Sequence, residues 1–212
     1  MTRPSVLLAD DHTMVLEAFK KLLDPEFDVV GTVSDGRALL SVAPSLKPEV
    51  IVLDLGMPEL SGMEAGVQLK KLLPRVKLIV LTMNEDPDVA NEALRRWASG
   101  YLLKNSAGAE LIKAIREVLH GRNYITPRVA QRLEDQFVRD PRPINKRALT
   151  SRQKEVLQLL AEGRTMRETA DVLHVTPRTV AFHKYRIMED FGLRTTSDLV
   201  KFAIRERVIS GL

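Results

Sequence analysis

The sequence predicts an α/β protein, a doubly wound five-stranded parallel sheet, followed by an all-α domain of helix-turn-helix type. Three observations predict it. Over residues 1–121, five short apolar runs alternate with five amphipathic stretches, the pattern of strand–helix units feeding a parallel sheet. Charged or hydroxyl side chains close four of those runs. From Leu149 onward the apolar runs give way to helical segments with cap and stop residues.

Strands are predicted at 5–10, 28–33, 50–54, 77–82 and 100–104, with helices at 12–23, 35–46, 61–73, 87–97 and 107–120. Val15, Leu16, Phe19, Leu22 and Leu23 fall on one helical face, as do Leu111, Ile112, Ile115, Val118 and Leu119. Residues 122–148 are predicted as a linker carrying one short helix, 127–133, with Thr126 as N-cap and Pro127 in the first turn. The prolines and charges of 139–147 make that linker semi-rigid. The second domain, 149–212, opens with Thr150 and Gln153 spaced as a capping box, and Val156, Leu157, Leu159 and Leu160 follow on one face until Gly163. A second helix spans about 165–173, and Val175-Thr176-Pro177 turns the chain into a third that runs to about Phe191 before Gly192. A fourth, about 196–207, carries Leu199, Val200, Phe202, Ala203 and Ile204. Two short helices, a tight turn and a longer helix with an exposed polar face describe a helix-turn-helix.

At 44% hydrophobic and 28% charged residues, the 212-residue chain has material for true cores. It has no cysteine, which excludes disulfides and thiolate metal sites. No run approaches the ~18 apolar residues of a membrane span, and the first residues lack a signal-peptide core, so a cytoplasmic protein is expected. Residues 1–125 hold 15 basic and 17 acidic side chains, whereas 126–212 hold 17 and 11. A basic second half suits a nucleic-acid partner.

The strand ends carry the chemistry. Asp54 closes Ile51-Val52-Leu53, and Asp10 and Asp11 close Val6-Leu7-Leu8-Ala9. Thr82 closes Leu78-Ile79-Val80-Leu81, and Lys104 closes Tyr101-Leu102-Leu103. An acid at the end of a buried strand is costly unless chemistry requires it. Open parallel sheets gather their ligand sites outside the carboxyl ends of the strands, so one rim receives three carboxylates, a hydroxyl and an ammonium. That set can handle a phosphoryl group with a divalent metal. Three clustered carboxylates repel one another and call for a hard cation, and Mg2+ suits oxygen ligands. The plainer reading, Asp10 and Asp11 as helix caps and Lys104 as a surface lysine, needs five positions to coincide.

These pieces carry a resemblance. Residues 1–121 resemble the receiver domain of bacterial two-component response regulators in Asp10-Asp11-His12, Asp54-Leu55-Gly56-Met57-Pro58 with Gly62, Thr82, and Gly100-Tyr101-Leu102-Leu103-Lys104. Residues 149–207 resemble the LuxR-type helix-turn-helix in Leu149-Thr150-Ser151-Arg152, Leu159-Leu160-Ala161-Glu162-Gly163 and Pro177-Arg178-Thr179-Val180 with His183. Together the chain is identified as a member of the NarL/FixJ family. The resemblance implies a flavodoxin-like receiver with Asp54 as phosphoacceptor, charged by a sensor histidine kinase. It implies Mg2+ held by Asp11 and Asp54, by Asp10 partly through water, and by the backbone carbonyl of Gly56. It implies Lys104 and Thr82 on the phosphoryl oxygens, Thr82 and Tyr101 as a switch pair, and a homodimer on promoter DNA when phosphorylated. A transcription regulator that assists only its own phosphorylation and dephosphorylation is then expected, with no outside substrate. Aspartyl phosphatases place a second acid where this chain has Gly56, which agrees. One departure stands at Trp97-Ala98-Ser99-Gly100, where the family has Gly-Ala-x-Gly. The tryptophan is either a core aromatic or an anchor for a dimer or interdomain contact.

For DNA, Arg178, Lys184 and Arg186 suit phosphates, and Ala181 and Phe182 suit thymine methyls. Tyr185 can reach a base edge or a phosphate, and Thr179 joins the same helix face. Thr165, Arg167 and Thr176 stand near helix starts, suited to phosphates, while His183 is either a contact or a packing residue. Relatives often carry lysine at the positions of Ala181 and Tyr185 and an apolar residue at that of Thr169. Two other classes stay open on the sequence: a receiver-fold protein governed by protein partners rather than phosphate, and a helix-turn-helix that docks protein.

Overall fold

A computed structural model of the chain describes residues 3–139 and 148–209 and divides it into two compact units, Met1–Gln136 and Phe137–Leu212. The residues 140–147 of the expected linker lie outside the described residues.

The first unit alternates β1 (Ser5–Ala9), α1 (Thr13–Leu23), β2 (Asp28–Val33), α2 (Gly36–Leu46), β3 (Val50–Leu53), α3 (Gly62–Leu72), β4 (Lys77–Thr82), α4 (Pro87–Arg96), β5 (Gly100–Leu103) and α5 (Ala107–Leu119). The strands pair in parallel in the order β2-β1-β3-β4-β5-β6. Among the described residues the sheet therefore has six strands, where five were expected. The sixth is β6 (Tyr124–Ile125), inside the stretch read as linker. It pairs Gly100 with Tyr124 and Tyr101 with Ile125 on the open side of β5. The short helix expected at 127–133 continues as α6 (Pro127–Arg139).

Strand residues alternate between faces. Val6, Leu8, Val50, Val52, Ile79, Leu81 and Leu102 build one core with Leu16 and Leu23 of α1 and Leu111, Ala114, Ile115 and Val118 of α5. Leu7, Ile51, Leu53, Leu78 and Val80 are buried on the opposite face. Trp97 is the C-cap of α4 and only 4% exposed. A Cβ added at Gly66 of α3 would come within 2.6 Å of its ring. The tryptophan is thus a core residue, accommodated because α3 carries no side chain at that position. The left-handed turn that a glycine gives is not needed: the N–H groups of Trp97 and Ala98 both donate to the Ala93 carbonyl, at 3.0 and 2.8 Å.

The second unit holds α7 (Ser151–Ala161), α8 (Met166–Leu173), α9 (Pro177–Phe191) and α10 (Thr196–Arg205). Thr150, Thr165 and Thr195 each close a capping box, with Gln153, Glu168 and Asp198 respectively. A threonine cap contributes about 1 kcal/mol. Val156, Leu157, Leu160, Ala170, Val180, Ile187, Leu199, Phe202 and Ala203 form one core, and Gly192 ends α9 at φ 67. Among the described residues no helix is long and apolar enough to cross a membrane.

Candidate functional site

The hydrogen-bond ladder of the sheet runs on past the strands and seats the rim. Asp10 N–H donates to Val33 O (3.1 Å), Asp54 N–H to Ala9 O (2.8 Å), and Lys104 N–H to Thr82 O (2.8 Å). The side chains that follow β1, β3 and β5 therefore leave from fixed points on one edge. Gly62 adds a constraint below Asp54, because a Cβ there would collide with the Asp54 carbonyl.

Lys104 joins two of the acids. Its Nζ lies 2.6 Å from Asp10 Oδ2 and 3.0 Å from Asp54 Oδ2, and both carboxylates are buried. Burial works to lower the lysine pKa, but the hydrogen bonds and charges of Asp10 and Asp54 outweigh it and hold the ammonium above the ordinary lysine range. Asp11 enters through His12, whose Nδ1 lies 2.8 Å from Asp11 Oδ1 and 3.1 Å from Asp10 Oδ1. The His12 N–H also donates to Asp10 Oδ1 (3.0 Å). Sequence reasoning assigned His12 no role; its place directly after the acid pair was the available signal. Ligand atoms of Asp10, Asp11 and His12 lie within 4.8 Å of one another. Gly56 follows Asp54 by two residues and is half-buried. Asp54 is not in the group of Asp10, Asp11 and His12 and meets Asp10 through Lys104; with it, three carboxylates against one ammonium leave two formal negative charges on oxygen donors, a chemistry that fits a hard divalent cation.

Thr82 and Tyr101 meet at a residue that the sequence did not single out. Thr82 Oγ1 accepts the Asn84 N–H (3.2 Å), and the Tyr101 hydroxyl donates to the Asn84 carbonyl (2.9 Å). Asn84 Oδ1 in turn accepts the Asp86 N–H (2.8 Å), and Asp86 Oδ1 caps α4 through the Asp88 N–H (2.9 Å). Short side-chain-to-backbone bonds two residues apart are the means by which Asn, Asp and Thr shape a loop. Tyr101 is fully buried, and burial, with the charges of Asp86 and Asp54 adding to it, pushes its phenol far up. The hydroxyl stays protonated and donates.

In the second unit, Thr165 and Thr176 cap α8 and α9, and their hydroxyls accept the N–H groups of Glu168 and Thr179, each at 3.2 Å. Arg167, Arg178 and Tyr185 are exposed. Ala181, Phe182, Lys184 and Arg186 are half-buried, whereas Thr179 and His183 lie on the buried side of α9 with Val180 and Ile187. Lys184 Nζ stands 5.6 Å from the centre of the Tyr185 ring, and Arg186 pairs with Glu189 and Asp190 at 3.2 and 3.1 Å.

Comparison with known proteins adds two family matches. Residues 6–116 match the response regulator receiver domain, and residues 147–203 match the bacterial regulatory proteins of the luxR family. The oxygen regulatory protein NreC of Staphylococcus carnosus is 33% identical over 213 residues, spanning 96% of this chain and 98% of that protein. Among solved structures, the response regulator RcsB in complex with DNA is 30% identical, with a TM-score of 0.64 over 95% of this chain and 98% of that one. A LuxR-family response regulator from Aurantimonas is 29% identical, with a TM-score of 0.62 over 65% of this chain and 99% of that one.

Proposed function

We propose, for a chain that belongs to the response regulator family and joins a receiver domain to a LuxR-type domain, that phosphorylation of Asp54 controls dimerisation and promoter binding. The observation that carries this reading is the Lys104 ammonium held between Asp10 and Asp54 at the carboxyl edge of the sheet.

The donor is the phosphohistidine of a sensor histidine kinase. An Asp54 carboxylate oxygen attacks phosphorus, the P–N bond breaks with its electrons passing to the imidazole, and a mixed anhydride forms. Lys104 exchanges its Asp54 contact for a phosphoryl oxygen, and the Thr82 hydroxyl turns from Asn84 to donate to another. Asp10, Asp11, Asp54 and the Gly56 carbonyl would hold Mg2+, which when bound neutralises charge on the phosphoryl oxygens. The switch is then the Asn84 node: losing the Thr82 contact frees the loop that Tyr101 holds from below. A phosphoryl group adds roughly −1.5 to −2 charge and three acceptor oxygens, enough to bias such a loop.

The output is DNA binding by α9. Arg167, Arg178, Lys184 and Arg186 neutralise phosphates, the starts of α8 and α9 at Thr165 and Thr176 add N–H donors, and Ala181, Phe182 and Tyr185 face bases. Thr179 and His183 support this face from the buried side of the helix. A promoter-binding role places the chain in the cytoplasm.

The test is labelling by an acyl phosphate with Mg2+, read on phosphate-affinity gels. Wild type gives a retarded band that Asp54→Asn and a chelator each abolish, and the labelled chain sizes as a dimer. A wild type without the band overturns the proposal.

A further inference from the structure

We infer that Thr126 is a positioning residue for Lys104, an inference that rests on reading Asp54 as the phosphoacceptor. Lys104 leaves the end of β5 and must reach past β4 to the carboxylates that follow β3 and β1. A long side chain anchored that far from its targets is only as well placed as its main-chain root.

That root is held on both sides. Toward β4, the Lys104 N–H donates to Thr82 O (2.8 Å). Toward the other side, β6 pairs only with Gly100 and Tyr101 and ends before reaching Leu103. Thr126 continues the ladder in its place. Its own N–H donates to Tyr101 O (3.0 Å), and its Oγ1 accepts the Leu103 N–H (3.3 Å). The hydroxyl proton goes to Glu110 Oε2 (2.8 Å) in the first turn of α5. Leu103 and Thr126 are both buried, so water does not replace these bonds. The residue directly before Lys104 is therefore tied to α5 through one hydroxyl. That hydroxyl belongs to the residue whose carbonyl accepts the first bonds of α6, from Val129 and Ala130.

Thr126→Val keeps the shape and removes the acceptor. In the full chain, labelling by an acyl phosphate with Mg2+ slows about tenfold, part of the roughly hundredfold that a 1 Å misplacement can cost. Thr126→Ser, which keeps the hydroxyl, restores the rate. In a Lys104→Ala background, Thr126→Val adds no further slowing, which a general loss of structure would not reproduce. If Thr126→Val does not fold, Glu110→Gln weakens the same relay from its far end and gives partial slowing. A wild-type rate in Thr126→Val or in Glu110→Gln, or equal slowing with and without Lys104, overturns the inference while leaving Asp54 as phosphoacceptor. A wild type that takes no label overturns the Asp54 reading and this inference together.

Discussion

At the residue scale, the acids and the lysine were legible because each interrupts an apolar run where burial penalises charge. Their partners were not. His12 stood in the motif without a role, Thr126 was read only as a helix cap and Asn84 not at all, and all three matter through what tertiary folding places against them. Trp97 shows the same limit: the space it fills is opened by Gly66, 31 positions earlier, and nothing local pairs the two. The raised Lys104 pKa has a definite sign. Its pairing stabilises the fold in full below the unfolded lysine value of about 10.4 and is lost as pH rises through the higher folded value. With chelator present, the difference in melting temperature between wild type and Lys104→Met stays constant up to that pH and narrows above it; a difference that narrows in the neutral range would refute the assignment. Thr169 gives a second residue-level prediction. It is fully buried in α8, and its hydroxyl has no hydrogen-bond partner among the described residues. Thr169→Val keeps the shape and removes the stranded polar group, so the unfolding free energy rises by about 1 kcal/mol in urea titration. A decrease would show that the hydroxyl is satisfied in solution.

At the element scale, strands and helices with four or more residues of clear period were readable to within a residue or two, as β1 to β5 show, and so was the capping box of Thr150 and Gln153; those of Thr165 with Glu168 and Thr195 with Asp198 were not read. The sixth strand was not, because two residues carry no period and β6 exists only through its pairing with β5. The continuation of α6 is likewise a tertiary matter. Arg128 and Arg132 reach Glu85 at 3.0 and 2.7 Å, and Gln136 donates to Asp88 at 2.5 Å. The helix is thereby fastened to the loop that begins at Thr82 and to the start of α4. Exposed ion pairs add little stability, on the order of 0–1 kcal/mol, but two arginines on one carboxylate fix a position. Glu85→Ala should leave the melting temperature within a few degrees while tryptic cleavage at Arg128 and Arg132 accelerates. Unchanged cleavage would mean that the two arginine pairs do not hold α6.

At the scale of the whole molecule, the division of charge was visible from the start: the first 125 residues are net −2 and the remainder net +6. Such a distribution suits a chain that receives a signal at one end and meets a polyanion at the other. Affinity for duplex DNA should fall with salt, at a log–log slope of about −0.9 per phosphate neutralised. Arg178→Ala and Lys184→Ala should each reduce that slope by about 1 in fluorescence anisotropy titrations, while an unchanged slope in either would remove that residue from the interface. The placement of β6 has a practical consequence for anyone dividing the protein. A fragment stopped at residue 121 keeps every acid of the rim yet bares the outer border of β5, inviting a neighbouring molecule to add a strand there. It also discards the hydroxyl beneath Leu103. Such a fragment would mislead as a stand-in for the signalling half, clumping by itself and reacting sluggishly, whereas one carried through Gln136 retains both the shielded border and the clasp on Glu85.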